Sequence, residues 1–220
     1  MHIHPDPLRH ARLAGALYLT IIICGVGSEL ALRGPLIDAA SAEHTMQALH
    51  AQSLRFRLSI LADVVMALAD AALALLLFRM FRSVSADLAL AALVFRLLQS
   101  GLIAAGLLNL QAALIVGSAD LSLHYLALHA YGYDLGLIFF AVNCFLTAQL
   151  ITRSGFVPRI LGLGIGLSGL VYLAGSGLRI VAPELHGLMA PAYVVPLVAE
   201  TAFCLWLLVK PGGARRRAAA

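Results

Sequence analysis

Charged side chains are scarce in this sequence: Asp, Glu, Lys and Arg make up 12% of the 220 residues, against about 25% in an ordinary soluble domain. A water-soluble globule covers its surface with such residues, so their scarcity excludes a soluble enzyme. The composition is 61% apolar and the mean hydropathy is +0.93, which leaves no room for a separate soluble domain. We therefore expect one integral membrane domain over residues 1–220, with the lipid bilayer as its surroundings.

Cysteine is scarce as well, and the motifs of nucleophilic catalysis are missing. The three cysteines, Cys24, Cys144 and Cys204, lie inside apolar runs without a C-x-x-C spacing. This pattern disfavours a disulfide framework or a thiolate metal site, so we interpret them as small packing residues. The sequence contains no G-x-S-x-G motif, which weakens a hydrolase interpretation.

Six apolar stretches dominate what remains. Each is about 20 residues long, which is enough to cross a hydrocarbon core of ~30 Å at ~1.5 Å per residue. They cover residues 12–32, 57–81, 85–110, 129–152, 157–180 and 190–210, with Gly, Pro and Arg turn signals between them. The sequence therefore predicts an all-α, polytopic transmembrane helical bundle of six spans. The more polar residues 41–53 predict a short interfacial helix or loop, and residues 121–128 are compatible with an outward extension of the fourth helix.

The distribution of basic residues indicates the orientation. Arg33, Arg55, Arg57 and Arg179 fall on one side of the predicted bundle. Because Lys and Arg concentrate in cytoplasmic loops, the other side is expected to be cytoplasmic, and six spans then place both termini there. That side carries ten basic residues: Arg9, Arg12, Arg79, Arg82, Arg153, Arg159, Lys210, Arg215, Arg216 and Arg217.

The basic C-terminus has two possible kinds of partner. The net charge of +4 and the cluster Arg215, Arg216 and Arg217 suggest an anionic partner. Nucleic-acid binding is disfavoured because no aromatic residues interleave with the cluster and no soluble basic face exists. We expect anionic lipid headgroups at this cluster instead.

Ionisable residues at membrane depth are the most informative feature, because each costs about 2.5–3.5 kcal/mol to insert. Asp70 and Arg96 each lie 13 residues from the turn at Ser83, or ~20 Å, so we expect them to pair. Glu200 and Asn143 also approach the middle of the bilayer. Two acids and one arginine at similar depth leave one negative charge, which a proton or a cation would neutralise.

These residues define a predicted polar seam with two interpretations. In the structural one, Asp70 and Arg96 form a fixed pair and a neutral Glu200 hydrogen-bonds to Asn143 or a helix carbonyl. In the functional one, the seam binds or moves a small ligand or a proton. The candidate residues are Asp63, Asp70, Arg96, Asn143 and Glu200.

A second group of ionisable residues is predicted toward the outer side. Arg57 and Arg179 are expected to neutralise two of its three acids, Glu29, Asp63 and Asp134. Imidazole and carboxylate are good zinc ligands, but His124 and His129 are five residues apart and no H-E-x-x-H occurs, so we expect no metal or cofactor. The secondary candidates are His129, Asp134, Arg179 and His186.

Several segments resemble one bacterial family of small polytopic membrane proteins, the domain-of-unknown-function family 4386. The segments are residues 11–18 (ARLAGALY), 128–140 (LHAYGYDLGLIFF), 153–162 (RSGFVPRILG), and Glu200 with 205–210 (LWLLVK). The resemblance covers nearly the full length and implies a helical integral membrane protein without an established activity. The resemblance marks His129, Arg153, Pro158 and Glu200 as positions in the motifs of this family. It implies that the protein lies in the bacterial cytoplasmic membrane.

Three classes of function follow. The first is a non-enzymatic membrane protein that binds or moves a small ligand or proton through the seam, which as a transporter would need a homodimer to enclose its path. The second is a membrane-embedded enzyme that acts on lipid, with or without a metal ion, which requires His129, His186 and a carboxylate to converge. The third is a structural or accessory protein whose polar groups only fix helix register.

The predicted orientation can be tested directly. When fused after Ala220, a reporter that works in the cytoplasm should be active and a reporter that works only outside it should be inactive, because the basic side is predicted to face the cytoplasm. Paired fusions of alkaline phosphatase and green fluorescent protein measure this, and phosphatase activity from the C-terminal fusion would contradict the orientation.

Overall fold

The computed structural model describes residue 8 and residues 10–209, and this part of the chain is helical without a strand. Six of its segments are long and apolar enough to cross a membrane, which confirms the predicted all-α bundle of six spans. The predicted lipid contact of Arg215 to Arg217 lies outside the described residues. The α-helices are α1 (Ala11–Val26), α2 (Ala42–Ala51), α3 (Ser53–Phe81), α4 (Ala86–Ile115), α5 (Ala119–Ser154), α6 (Arg159–Val181) and α7 (Val194–Val209).

Two spans contain segments that are not α-helical. The first span continues from α1 through a π-helical turn, Gly27–Arg33, and a 3-10 segment, Gly34–Leu36. The sixth span begins with a 3-10 segment, Pro183–Tyr193, which contains Pro191, and continues as α7. The breaks that the sequence predicted at Gly34-Pro35 and Pro191 therefore lie in 3-10 segments rather than in gaps between helices.

The fourth span is longer than predicted. It begins at Ala119 rather than at residue 129, because the side chain of Ser118 caps it by accepting a hydrogen bond from the Leu121 amide. Its 36 residues correspond to ~54 Å at 1.5 Å per residue, so α5 extends well beyond a hydrocarbon core of ~30 Å. It ends at Gly155, whose φ of 70° is the left-handed conformation that glycine adopts without strain.

The polar segment after the first span forms the short helix α2. Ser41 caps it by accepting a hydrogen bond from the His44 amide at 3.2 Å. Asp38 precedes the helix, and its pKa lies below the ordinary value because the Ala40 amide and the His44 ring hydrogen-bond to its carboxylate. The helix packs mainly against α5, at the end of the bundle where α3 begins.

Large apolar side chains cover the outside of the bundle, and charges lie within it. Leu30, Leu108 and Ile160 are 72%, 73% and 71% exposed, whereas Arg33 and Arg96 are 3% and 2% exposed. A soluble protein shows the opposite distribution. Together with the six spans, this distribution identifies a multi-pass membrane protein.

The six spans form a closed ring in chain order. The α1 helix packs on α3, α3 on α4, α4 on α5, α5 on α6, α6 on α7, and α7 returns to α1. We call the end at which α1 begins the basic end, because Arg12, Arg82, Arg153 and Arg159 lie there, and the opposite end the distal end. Every span therefore borders the interior of the ring.

The basic end of the ring is filled by apolar side chains. Leu73, Leu77, Phe81, Phe203 and Leu207 are buried there in one cluster. All three cysteines are free: Cys144 and Cys204 are buried in the same cluster and Cys24 is half-buried. The basic end is therefore closed by packing.

Helices α5 and α6 approach each other through glycine. A Cβ atom on Gly169 would lie 2.8 Å from Phe145 Cε1 and 3.0 Å from the backbone oxygen of Ala141. A Cβ atom on Gly132 would meet no heavy atom within 4 Å. The first position therefore requires the absence of a side chain, as in other close transmembrane crossings.

Substituting Gly169 should destabilise the bundle. Gly169→Ala is expected to cost about 1–3 kcal/mol, because the methyl group is overpacked against backbone. Gly132→Ala is the matched control and should be neutral or slightly stabilising, since alanine favours the helix. Thermal unfolding in detergent measures both variants, and equal melting temperatures would contradict the assigned helix contact.

Candidate functional site: a central intramembrane cavity

Asp70 and Arg96 form the ion pair that their depth predicts. Arg96 on α4 donates from Nε and Nη2 to Asp70 Oδ1 on α3, at 2.8 and 2.6 Å. The Gln99 amide, oriented so that its nitrogen faces acceptors, donates to Asp70 Oδ2 at 2.8 Å. Both oxygens of this buried carboxylate therefore have donors, which is what a charge in hydrocarbon requires.

Two aromatic rings flank the guanidinium of Arg96. Its central carbon lies 5.3 Å from the ring centroid of Tyr18 and 5.1 Å from that of Phe140. Both distances are typical of cation–π attraction. Arg96 is therefore held by Asp70 and by two rings.

Glu200 on α7 is held by tyrosines rather than by a cation. The Tyr18 hydroxyl donates to Glu200 Oε2 at 3.0 Å, and the Tyr172 hydroxyl donates to Oε1 at 2.5 Å. No ion pair to Glu200 is formed within residues 10–209. The expected contact with Asn143 is wrong, since Asn143 faces α4 and donates to the Ala92 carbonyl at 2.7 Å.

A cavity of about 560 Å³ lies beside these groups, and we call it the central cavity. Apolar side chains from several spans form most of its wall. Small-molecule sites in proteins have this size, an apolar lining and a few convergent polar groups. The polar wall comprises Glu29, Asp70, Arg96, Gln99, Ser100, Tyr133, Tyr172, Tyr193 and Glu200.

The central cavity is bordered by the gap between the first and sixth spans. These spans pack together through α1 and α7, but their distal segments, Gly27–Arg33 and Pro183–Tyr193, have no substantial contact with each other. The residues at this gap that line the cavity include the exposed Val26, Leu30 and Leu197. The cavity therefore has a mostly apolar rim facing the bilayer, with Glu29 as an exposed carboxylate beside Leu30.

Arg33 organises the acids at the distal end. It donates from Nη1 to Asp63 Oδ2 at 2.8 Å and from Nη2 to Glu29 Oε2 at 2.6 Å, and Ser28 donates to Asp63 Oδ1. The role predicted for Arg57 is wrong: Arg57 is exposed, while the π-helical turn directs Arg33 inward. Asp63 consequently belongs to this distal cluster and does not line the central cavity beside Asp70.

Asp134 and Arg179 form the second distal ion pair, so Arg179 neutralises one of the three distal acids, which the sequence predicts without assigning the acid. Ser176 donates to Asp134 Oδ1 at 2.8 Å. The His186 ring lies 3.0 Å from both the Gly175 carbonyl and Arg179 Nη2. These partners assign a neutral His186 that donates from Nδ1 and accepts at Nε2.

His129 and His186 line a distal cavity of about 600 Å³ together with Asp63, Asp134 and Arg179. His129 is buried, and its Nδ1 lies 3.2 Å from the Gly106 carbonyl. Within the described ranges, no group of three or more His, Cys, Asp or Glu side chains is arranged to hold a metal ion. The convergence required by the metal-enzyme alternative is therefore not found among these residues.

The central and distal cavities adjoin. Both are lined by Gly25, Glu29, Tyr133, Leu137 and Tyr193. The two cavities are therefore neighbours that share one wall, with Glu200 on the central side.

Sequence reasoning missed the tyrosines of the site. Tyr18 and Tyr172 are neutral residues inside apolar stretches, so a search for charge at membrane depth does not select them. Their signal in the sequence is depth alone: Tyr172 and Glu200 lie on consecutive antiparallel spans, each partway along its helix. A tyrosine buried in hydrocarbon needs a partner for its hydroxyl.

The Asp70–Arg96 pair can be tested by a double-mutant cycle. Asp70→Leu or Arg96→Met alone should cost about 3–5 kcal/mol, because each leaves a buried charge without its partner. The double variant should be more stable than either single variant. Thermal unfolding in detergent measures the stability of the single and double variants, and Arg57→Met at an exposed position serves as the control. If the stability losses of the two single variants add up in the double variant, the pair is not coupled.

Comparison with known proteins gives a family but no activity. An uncharacterized protein of Archaeoglobus fulgidus is 33% identical over 79 residues, which are 35% of this chain and 44% of that protein. The chain thus matches less than half of that relative's length. No solved structure gives a match. The sequence model described as domain of unknown function (DUF4386) matches residues 13–211, so the chain belongs to this family.

Proposed function

We propose that this membrane protein binds a small molecule in the central cavity. The observation that supports the proposal is the cavity itself, about 560 Å³ in volume, with the Asp70–Arg96 pair and Glu200 among the polar groups of a mostly apolar wall. Asp70 and Arg96 are 3% and 2% exposed, so the pair is nearly covered, and Glu200 is 9% exposed. These groups nevertheless border a space large enough for a ligand.

Glu200 adds a second argument. Its carboxyl group is buried at the cavity wall and is hydrogen-bonded to two tyrosine hydroxyls. An acid placed in hydrocarbon without an ion-pair partner is costly, and residues of this kind commonly mark functional sites. Such a group can take up a proton, or it can accept a cationic ligand in place of the proton.

The central cavity is closed toward the basic end in this conformation. The distal cavity adjoins it, whereas the apolar cluster around Phe81 and Phe203 closes the basic end. Movement of a ligand or proton across the membrane would require this cluster to open. Binding without passage across the membrane is therefore the primary proposal, and transport would be an additional step.

The surroundings of the protein complete the proposal. A bacterial cytoplasmic membrane with both termini inside is supported by the arginines at the basic end. Anionic headgroups at Arg215 to Arg217 and a homodimer remain proposals on charge and size alone.

Thiol labelling tests whether the cavity is reachable. In a protein whose three cysteines are replaced by alanine, Met66→Cys places a thiol on the cavity wall and Met80→Cys places one in the apolar cluster of the basic end. Both methionines lie on α3 and are buried. We expect N-ethylmaleimide to label Met66→Cys at least about tenfold faster, since a thiol must be reached to react.

Mass spectrometry after timed quenching measures both rates, and denatured samples show that each thiol is competent. Equal resistance of Met66→Cys and Met80→Cys in the folded protein would show that the cavity is closed to small molecules. The binding proposal would then fail.

A further inference from the structure

We propose that the ligand is a lipophilic organic cation that reaches the central cavity sideways from the bilayer. This inference rests on the proposed function. The charge of the cation would lie beside Glu200 and the neighbouring tyrosine rings. Its apolar body would fill the remainder of the cavity.

The sign of the charge follows from the ion pairs. Asp70 and Arg96 cancel each other, as do Asp134 and Arg179. Glu200 has no ion pair among the described residues. An anionic ligand would add repulsion at low dielectric, whereas a cation supplies the charge that the cavity lacks.

The distal cluster points to the same sign. Glu29 and Asp63 share the single guanidinium of Arg33, so this cluster has one more acid than base. Glu29 lines both cavities. Both cavities therefore favour a cation over an anion.

Aromatic rings supply a second recognition element. Tyr133, Phe140, Tyr172 and Tyr193 line the cavity, and the Tyr172 ring lies 5.4 Å from Phe140 and 6.1 Å from Tyr193. Ring faces beside a carboxylate are the surroundings in which proteins hold organic cations. Arg96 over Phe140 already shows one cation held in this way.

The apolar rim indicates the route. The distal halves of the first and sixth spans are separated, and the exposed Val26, Leu30 and Leu197 form the cavity wall at this gap. A molecule with a large apolar body concentrates in the bilayer and meets this rim first. A small hydrated cation would have to use the distal cavity instead.

Tetraphenylphosphonium and tetraphenylborate test the charge, since they share size and shape and differ in sign. With the protein in lipid nanodiscs and empty nanodiscs as background, equilibrium binding of radiolabelled tetraphenylphosphonium should be specific and saturable. Radiolabelled tetraphenylborate, measured in separate samples over the same background, should show no saturable binding. Saturable binding of the anion with equal affinity, or no saturable binding of the cation, would overturn the proposal.

Glu200→Gln tests the site. This variant keeps an oxygen for the tyrosine hydroxyls and removes the charge, so affinity for tetraphenylphosphonium should fall at least about tenfold, the equivalent of about 1.4 kcal/mol. Glu184→Gln is the matched control, because Glu184 is exposed on the same span, and it should bind like the original protein. Tyr193→Leu, which removes one ring, should weaken binding about threefold or more.

Unchanged binding by a folded Glu200→Gln protein would overturn the assigned site.

Tetramethylammonium tests the apolar part of the proposal, since it has the same charge without an apolar body. It should compete at least about a hundredfold more weakly, because it lacks the apolar contacts. Equal potency would show that the apolar body contributes nothing to binding and would contradict a lipophilic ligand. If Met66→Cys is labelled but no cation binds, the cavity proposal stands and only the ligand class is wrong.

Discussion

An ionised side chain inside hydrocarbon must find its counter-charge and its hydrogen bonds within the protein, and the interior of this bundle is arranged around that constraint. Asp70 receives donors from Arg96 and Gln99, and Arg96 rests between two rings. Tyr18 belongs to both halves of the site, since its ring contacts Arg96 and its hydroxyl binds Glu200. The ion pair and the lone acid are therefore parts of one unit, held by hydrogen bonds and a cation–π contact, that joins the four helices α1, α3, α4 and α7.

The ring of spans gives this unit an asymmetric position. At the basic end, apolar side chains fill the space between the helices, whereas two adjoining cavities occupy the centre and the distal end. The first and sixth spans are in contact only over part of their length. The ring is closed at the basic end, and its first and sixth spans separate toward the distal end. This shape favours the binding of a ligand from the distal side or from the bilayer over its free passage across the membrane. The polar groups of the site lie where the packed part meets the open part.

The sequence predicts much of this arrangement because hydropathy and depth are local properties. Counting 1.5 Å per residue from one turn was sufficient to pair Asp70 with Arg96. The same method failed for Arg33, because the count assumes an α-helix and the first span winds differently after Val26. It also failed for Asn143, which lies at the right depth but faces α4. Rotation about a helix axis decides such contacts, and weak apolar asymmetry in these spans leaves rotation undetermined.

The π-helical turn at Gly27–Arg33 has a consequence for the first span as a mechanical element. Such a turn accommodates an additional residue, which rotates the following side chains by about 100° relative to a continuous α-helix. Rewinding it would rotate the Arg33 guanidinium away from Asp63 on α3, whereas Glu29, four residues earlier on the same span, would stay within reach of Arg33. The ion pair between Arg33 and Asp63 thus fixes the rotation of the first span about its axis. The distal half of this span can rotate only if that ion pair breaks. Its orientation is therefore coupled to the charge of the distal cluster.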